Sequence, residues 1–209
     1  MKAIAFPNPS EIYQLPGPVL GEPIVYAAVE VRDGAREFLA ARLLEALAGL
    51  APEWTGALEW GTLSLDTGPL GRPLLRLGAK PGPSLSFSEA GGLLWGAIAG
   101  GGQVGLDAAG EEDFTSPYPY SRAFGPLEWD WAWRQCQGRT AAAAALLWAA
   151  KEAAVKALGV GFHTRDPLDL EVALLSPAWD GLQLMVRVPE EVKAWARPWD
   201  YGWLALGTA

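Results

Sequence analysis

The chain has 209 residues, of which half are hydrophobic and 19% are charged, so it is long enough for a sizeable core and too apolar for a disordered protein. The formal net charge of −8 argues against nucleic acid and anionic membrane surfaces as partners. The chain contains one cysteine, Cys136, and one histidine, His163, which excludes an intrachain disulfide and a zinc cluster.

The sequence predicts neither an export signal nor a membrane span. Residues 1–17 lack a charged start followed by an apolar run, which is the pattern of a signal peptide. The apolar segment at residues 91–102 is too short and too rich in glycine for the ~20 residues that cross a bilayer. We therefore expect a cytoplasmic protein.

The first half of the chain predicts a strand, a helix and then several short strands. The strand lies at residues 22–31, and an amphipathic helix at residues 34–50 ends in a glycine-bearing stretch. Short strands joined by a Gly/Pro turn follow at residues 57–77, and a strand-turn-strand unit is expected at residues 85–101.

The second half begins with a predicted strand at residues 103–109 and a loop rich in proline, tyrosine and tryptophan at residues 114–133. A helix is then expected from Thr140, as its N-cap, to Gly159, as the residue after its C-cap. The tail alternates strand-like pieces with one short segment at residues 189–196.

The two halves share the order strand, helix and several strands, which predicts an α+β protein built from two similar lobes. A boundary near residues 100–104 divides the chain into an N-terminal lobe, residues 1–102, and a C-terminal lobe, residues 103–209. Such an internal duplication is compatible with a monomer.

The predicted helix at residues 140–159 carries an unusual cluster of charges. Lys151, Glu152 and Lys156 fall within an arc of about 140° that also contains Trp148, opposite the positions expected to face the core. One interpretation is a solvated surface pair between Glu152 and Lys156, worth ~0.2–0.5 kcal/mol. That interpretation leaves the indole unexplained, and the other is a site that binds phosphate and metal.

This cluster resembles a motif of the 4′-phosphopantetheinyl transferase superfamily in its two-lobed form. The family pattern is Trp or Phe, two residues, Lys-Glu-Ala or Lys-Glu-Ser, two residues and Lys. The chain has Trp148-Ala-Ala-Lys151-Glu152-Ala-Ala-Val-Lys156, which matches at every motif position. Upstream, Gly105-Leu-Asp107-Ala-Ala109 resembles the family's Gly-x-Asp-x-Glu strand.

Two further segments resemble the family pattern farther upstream. Gly71-Arg72-Pro73 stands where the family has Gly-Lys-Pro, and Ser88 and Glu89 stand where it has Ser-His. Two ligand positions therefore differ: Ala109 replaces the second carboxylate of the strand motif, and Glu89 replaces the histidine. The loop carboxylates of residues 111–113 are alternative sources of the missing metal ligand.

The resemblance implies a Mg²⁺-dependent transfer of the 4′-phosphopantetheine arm of coenzyme A to a serine of an apo acyl or peptidyl carrier protein. It also implies a monomer with an active site in the cleft between the two lobes. The implied site residues are Asp107 and Glu152 as metal ligands, Glu152, Lys156 and Asp107 in catalysis, and Arg72, Ser88, Lys151 and Lys156 in contact with coenzyme A.

Two other hypotheses remain at this point. A relative that has lost catalysis would bind coenzyme A or a carrier protein without transfer, as the changes at Ala109 and Glu89 allow. An unrelated α+β protein would carry the charged helix by coincidence. His163 is expected in a loop, and Cys136 has no base near it in sequence, so neither is a candidate catalytic residue.

Overall fold

The structure is a computed structural model that describes residues 11–15, 17–115 and 117–209. The predicted absence of an export signal concerns residues 1–17, most of which lie outside the described residues. The described chain combines α-helices with antiparallel sheets, which confirms the predicted α+β class. None of its helices has the length and apolar character needed to cross a bilayer.

The first half of the chain forms a four-stranded antiparallel sheet with the order β1-β2-β7-β6 and a small three-stranded sheet with the order β3-β4-β5. The elements, in order, are β1 (Ile12–Leu15), α1 (Gly17–Leu20), β2 (Ile24–Glu30), α2 (Ala35–Ala48), β3 (Leu63–Thr67), β4 (Pro73–Leu77), β5 (Lys80–Pro81), β6 (Ser84–Ala90) and β7 (Leu93–Ala99).

The second half forms a five-stranded antiparallel sheet with the order β8-β12-β11-β10-β9. Its elements, in order, are β8 (Val104–Gly110), α3 (Pro126–Gln135), α4 (Thr140–Ala157), β9 (Glu171–Ala178), β10 (Gly181–Arg187), β11 (Glu191–Trp199) and β12 (Gly202–Thr208). The strand predicted at residues 103–109 and the helix predicted at residues 140–159 are both present.

The two larger sheets pack face to face, with α2 on the outer face of one and α4 on the outer face of the other. Val25 and Val29 of β2 pack against α2, whereas Ile24 and Tyr26 of the same strand face the layer between the sheets. Successive side chains of a strand point to opposite faces, so β2 contributes to two apolar layers. A third layer lies between α4 and the second sheet.

The helix α4 is enclosed more completely than its sequence predicts. Lys151 and Val155, on the side expected to be open, are as fully buried as the alanines. The helix lies close to β8 because a Cβ on Gly105 would approach the carbonyl oxygen of Ala153 to 1.9 Å. On its other side α4 contacts α3 and the 3₁₀ turn Glu111–Phe114. The helix is therefore buried on more than the one face that the sequence predicts.

The ends of α4 agree with the sequence prediction to within one residue. Gly159 has a φ of 71°, the left-handed conformation that favours glycine after a helix. Thr140 is the first residue of the helix, and Arg139 is its N-cap.

The segment predicted as a loop at residues 114–133 contains the start of α3. This helix begins with Pro126 at its first position, where a missing N–H costs nothing. Glu128 Oε1 accepts a hydrogen bond of 2.7 Å from Gly125 N and so caps the helix. The tryptophans at every second position obscured the helical period in the sequence.

The strand β8 is an edge strand, and three serines of β6 pair with the side that β12 leaves open. The hydroxyls of Ser84, Ser86 and Ser88 accept backbone hydrogen bonds of 2.9 to 3.2 Å. The donors are the N–H groups of Val104, Leu106 and Ala108. We call this ladder the serine seam; it joins the two sheets without extending either one.

Candidate active site

Asp107 on β8 is the central side chain of a polar cluster at one end of the serine seam. It is 6% exposed, and its Oδ1 accepts hydrogen bonds from Lys156 Nζ at 2.7 Å and from Ser88 Oγ at 2.8 Å. Lys156 Nζ also donates to the carbonyl oxygen of Leu106 at 3.1 Å. Strand β8, strand β6 and helix α4 therefore converge on one carboxylate oxygen.

Glu152 stands one turn before Lys156 on α4 and completes the cluster. Burial, and then repulsion by the charge of Asp107, raise the pKa of Glu152, while Lys156 opposes this shift. Burial likewise raises the pKa of Asp107 against the stabilising effects of Lys156 and Ser88. The structure thus brings Asp107, Lys156 and Ser88 into direct contact, and Glu152 interacts electrostatically with Asp107 and Lys156.

Asp107 and Glu152 are two carboxylates with raised pKa values, and the charge of Asp107 contributes to the shift of Glu152, so they are a suitable donor set for a divalent cation. Among the described residues, no three His, Cys, Asp or Glu side chains are grouped closely enough to hold a metal by themselves. Mg²⁺ does not require such a group, because it keeps water ligands and typically binds one or two carboxylates together with substrate phosphates. Asp107 and Glu152 fit this mode of binding.

One cavity next to the cluster is lined by the two cationic side chains Arg72 and Lys156, together with Ser86 and Gly159. We call it the Arg72 cavity. The Arg72 guanidinium donates to Gln103 Oε1 and, at 3.4 Å, to Ser84 Oγ. These contacts hold the arginine across the start of the serine seam. Gln103 had no signal in the sequence, because its role depends on the position of Arg72.

A second cavity lies on the negative side of the cluster. Its polar wall contains Ser88, Asp107 and Asp113, and its apolar wall contains the three rings of Phe114, Tyr118 and Trp148. We call it the aromatic cavity. The structure therefore separates positive from negative side chains on the two sides of the pair between Lys156 and Asp107.

Lys151 lies apart from this cluster, although it belongs to the same motif. It is 0% exposed and forms an ion pair with Glu128 of α3, which is equally buried. Its Nζ also donates to the carbonyl oxygens of Ala123 at 2.9 Å and Pro167 at 2.8 Å. Burial lowers the pKa of Lys151, and the charge of Glu128 opposes that shift.

The environment of Lys151 differs from the phosphate contact expected from the sequence. The three acceptors of its ammonium group all belong to the protein, so this amine holds α3 and the segment before β9 against α4. Glu128 extends the connection, because its Oε2 accepts a hydrogen bond of 2.8 Å from Val172 N. The sequence reasoning missed Glu128; its spacing after Gly125 and Pro126 was the available signal.

The two departures from the family pattern have specific surroundings. Ala109 is 3% exposed and packs in the core with α4, where a carboxylate would be desolvated. Glu89 lies at the aromatic cavity and pairs with Arg36 at 3.1 Å, rather than with Arg72. Its charge is thereby turned toward α2, on the opposite side of the cluster from the Arg72 cavity.

The loop carboxylates, the cysteine and the histidine contribute little to the cluster itself. Glu111 pairs with Arg139 at 2.9 Å, whereas Asp113 lines the aromatic cavity and acts electrostatically on Asp107. Cys136 is buried, which raises the pKa of its thiol to about 12. His163 is exposed in the segment after α4.

The comparison with known families agrees with this arrangement. Residues 103–197 match the family model described as the 4′-phosphopantetheinyl transferase superfamily. No curated protein sequence matches the chain significantly. The matched region contains Asp107, Glu152 and Lys156, the three charged residues of the cluster. This match, which covers somewhat less than half of the chain, is a similarity of residues 103–197 to the 4′-phosphopantetheinyl transferase superfamily.

Proposed function

We propose that the protein transfers the 4′-phosphopantetheine arm of coenzyme A to a serine hydroxyl of an apo acyl or peptidyl carrier protein, with Mg²⁺. The similarity of residues 103–197 to the superfamily supports phosphopantetheinyl transfer in general. The observation that carries the proposal is the convergence of Asp107, Glu152 and Lys156 beside a cavity that also contains Arg72.

The Arg72 cavity binds the anionic half of coenzyme A in this proposal. Arg72 presents a planar guanidinium, which suits the two oxygens of a phosphate group. Lys156 supplies a mobile point charge at the diphosphate, and its side chain is 30% exposed and therefore accessible. Ser88 acts indirectly here, because its hydroxyl is hydrogen-bonded to Asp107 and to the backbone of β8.

Asp107 and Glu152 would hold the magnesium ion. When bound, Mg²⁺ neutralises charge on the diphosphate oxygens and aligns them for displacement. Asp107 is held in position by Ser88 and Lys156 through Oδ1, and no hydrogen bond from the described residues goes to Oδ2. That second oxygen is the one available for a new ligand.

Glu152 accepts the proton of the carrier serine. The serine oxygen forms a bond to the phosphorus that bears the pantetheine arm, and the bond from that phosphorus to the bridging oxygen breaks. Adenosine 3′,5′-bisphosphate leaves with the bridging oxygen, whose negative charge Lys156 stabilises. The raised pKa of Glu152 improves it as a base, because a base is most efficient when its pKa approaches the working pH.

The proposed assembly is a monomer in which residues 1–102 and 103–209 form two similar lobes. The active site lies in the cleft along the serine seam, since Arg72 and Ser88 come from the first lobe and Asp107, Glu152 and Lys156 from the second. We place the reaction in the cytoplasm, where coenzyme A and apo carrier proteins are both available.

The direct test is incubation of the protein with coenzyme A, Mg²⁺ and a panel of apo carrier proteins, followed by mass spectrometry of the carriers. We expect a mass increase equal to the phosphopantetheine arm. Asp107→Asn should abolish it, and Asp66→Asn, which changes an exposed carboxylate on β3, should not. Binding of coenzyme A without transfer to any carrier would instead favour a relative that has lost catalysis.

A further inference from the structure

We propose that Arg197 is a positioning residue for the transfer reaction: its contact with Tyr26 fixes one large sheet against the other and so fixes the geometry of the serine seam. This inference rests on the proposed function, and it gives a role to a buried charge outside the candidate active site. Arg197 lies on β11 of the five-stranded sheet and is 5% exposed, and Tyr26 lies on β2 of the four-stranded sheet and is 2% exposed.

The Arg197 guanidinium joins side chains of both sheets. Its Nη1 donates a hydrogen bond of 2.8 Å to Tyr26 Oη and lies 3.0 Å from Oδ2 of Asp180, in the turn between β9 and β10. Its Cζ also lies 5.0 Å from the centroid of the Tyr13 ring, which stacks on the Tyr26 ring at 5.3 Å. A buried hydrogen bond from a charged donor is strong and directional, so this contact fixes the place of β2 on the five-stranded sheet.

The layer between the two sheets consists mainly of leucine, isoleucine, valine, alanine and tryptophan side chains. Apolar contacts are non-directional, so they hold the sheets together without fixing how far one lies along the other. Directional contacts supply that information at the two edges of the layer, where Arg197 meets Tyr26 and where the serine seam joins β6 to β8. Gln183 and Thr208 add hydrogen bonds to the carbonyl oxygens of residues 19 and 20, which precede β2.

The row of Arg197 in the five-stranded sheet ends at the candidate active site. Arg197 is the register partner of Leu204 on β12, and Leu204 is the register partner of Ala108 on β8. Ala108 follows Asp107 and donates its N–H to Ser88 Oγ at 3.2 Å. Neighbouring strands lie about 4.8 Å apart, so two strand spacings, or about 10 Å, separate Arg197 from Ala108.

The row of Tyr26 in the four-stranded sheet ends at the serine seam as well. Tyr26 is the register partner of Ala97 on β7, and Ala97 is the register partner of Ser86 on β6. Ser86 Oγ accepts a hydrogen bond of 2.9 Å from Leu106 N on β8. The two rows therefore enclose the apolar layer, with the Arg197 contact on one side and the seam on the other. A shift between the sheets at Arg197 consequently moves the serines of β6 relative to β8.

The hydroxyl of Ser88 carries such a shift to the reacting groups. It accepts from Ala108 N and donates to Asp107 Oδ1 at 2.8 Å, so it orients the carboxylate that the proposed function assigns to Mg²⁺. Loss of a hydrogen bond that orients a metal ligand typically costs about 10–100-fold in activity, and a looser seam should cost less than that. Arg197 acts in this way without touching the substrate.

The first measurement is amide hydrogen exchange, resolved by residue with NMR. Tyr26→Phe keeps the ring and removes the hydroxyl that Arg197 binds. We expect the three β8 amides of the serine seam to exchange about tenfold faster relative to amides inside α4, which report global unfolding. Tyr13→Phe is the matched control, because it also keeps its ring beneath the guanidinium and its hydroxyl donates to nearby Glu11 at 2.8 Å. It should leave the seam amides unchanged.

The second measurement is the rate of transfer from coenzyme A to an apo carrier protein. Tyr26→Phe should lower kcat about fivefold and change the KM for coenzyme A by less than about twofold, because the seam orients Asp107 and the side chains of the Arg72 cavity remain. Arg197→Met should have at least this effect on both measurements. Arg197→Lys, which keeps the charge and a donor, should recover part of it.

Three results would overturn the inference. A lower melting temperature of Tyr26→Phe with unchanged seam exchange would mean that the contact only stabilises the fold. A lower kcat with unchanged exchange would mean that the effect does not pass through the seam. Equal kcat in wild type and Tyr26→Phe, in a protein that transfers the arm, would support the proposed function and refute the positioning role.

The exchange measurement needs no activity, so it separates this inference from the proposed function. Faster seam exchange in Tyr26→Phe, in a protein that modifies no carrier, would refute the transfer and support the control of the seam by Arg197. Unchanged exchange in such a protein would refute both.

Discussion

Replacement of Lys151 by methionine tests whether this motif lysine serves folding or substrate binding. The substitution keeps most of the side-chain volume and removes the ammonium group. Lys151 is fully buried and bonded to Glu128 and to two backbone carbonyls, so all of its contacts are internal. We expect Lys151→Met to reduce stability strongly and to leave the coenzyme A affinity of the folded protein unchanged.

The magnitude follows from the groups that lose their partner. Removal of one member of a buried ion pair costs about 3–5 kcal/mol. Glu128 keeps two backbone donors, Gly125 N at 2.7 Å and Val172 N at 2.8 Å. Its cost should therefore lie at the lower end of that range of about 3–5 kcal/mol. The carbonyl oxygens of Ala123 and Pro167 each lose a donor, at ~1–3 kcal/mol for an unsatisfied buried group, so with the lower end of every range we expect a loss of about 5 kcal/mol.

Urea denaturation measures this loss. With a slope of about 2 kcal/mol per molar urea, the midpoint should fall by about 2.5 M. The double variant Lys151→Met with Glu128→Gln should recover part of it, because the stranded charge is also removed. The matched control is Lys156→Met on the same helix, which should lose less stability and bind coenzyme A about tenfold more weakly.

The opposite pattern would refute this reasoning. An unchanged urea midpoint in Lys151→Met together with a raised Kd for coenzyme A would mean that Lys151 contacts the substrate. Equal effects of the two methionine variants on affinity would also contradict the assignment of Lys151 to the contact between α4 and α3.

Three further predictions concern single positions. Ser88→Ala should lower the transfer rate about tenfold, and Ser88→Thr should retain most of it, because the hydroxyl orients Asp107; equal rates in mass-spectrometric time courses would remove that role. Gly105→Ala should lower the free energy of unfolding by about 3 kcal/mol or more, because its Cβ would clash with the Ala153 carbonyl. Thermal or urea unfolding measures this loss, and an unchanged stability would contradict the close contact between α4 and β8. At pH 8, Cys136 should react with a thiol reagent about a thousandfold more slowly than an exposed cysteine, because a pKa of about 12 leaves little thiolate. Rapid labelling of the native protein would contradict the burial of this thiol.

The regular elements with a clear period were predictable from the sequence. The strand at residues 22–31 became β2 (Ile24–Glu30), and the helix at residues 34–50 became α2 (Ala35–Ala48). Hydrophobic spacing marked both elements, and glycines marked their ends. The helix α3 was missed because its tryptophans alternate, and packing against α4 outweighed that local pattern.

The sequence could predict a contact of the site only where both contacting residues belong to a motif. Lys156 of one motif contacts Asp107 of the other, and Asp107 acts electrostatically on Glu152; the roles of these residues stay a prediction. The serine seam was not predicted, although serines at alternate positions of β6 lie on one face of a strand. Their backbone partners belong to β8, and nothing in either strand alone shows that the two edges meet.

The different contacts of the two motif lysines follow from helix geometry. Lys151 and Lys156 are five residues apart, which at 100° per residue places them about 140° apart around the axis. Glu152 and Lys156 are four residues apart and therefore only about 40° apart. The acid and the second lysine thus face the serine seam together, while the first lysine faces α3, where Glu128 stands. Helix α4 therefore directs Glu152 and Lys156 toward Asp107. Lys151 lies on a different side of the same helix, where it contacts α3.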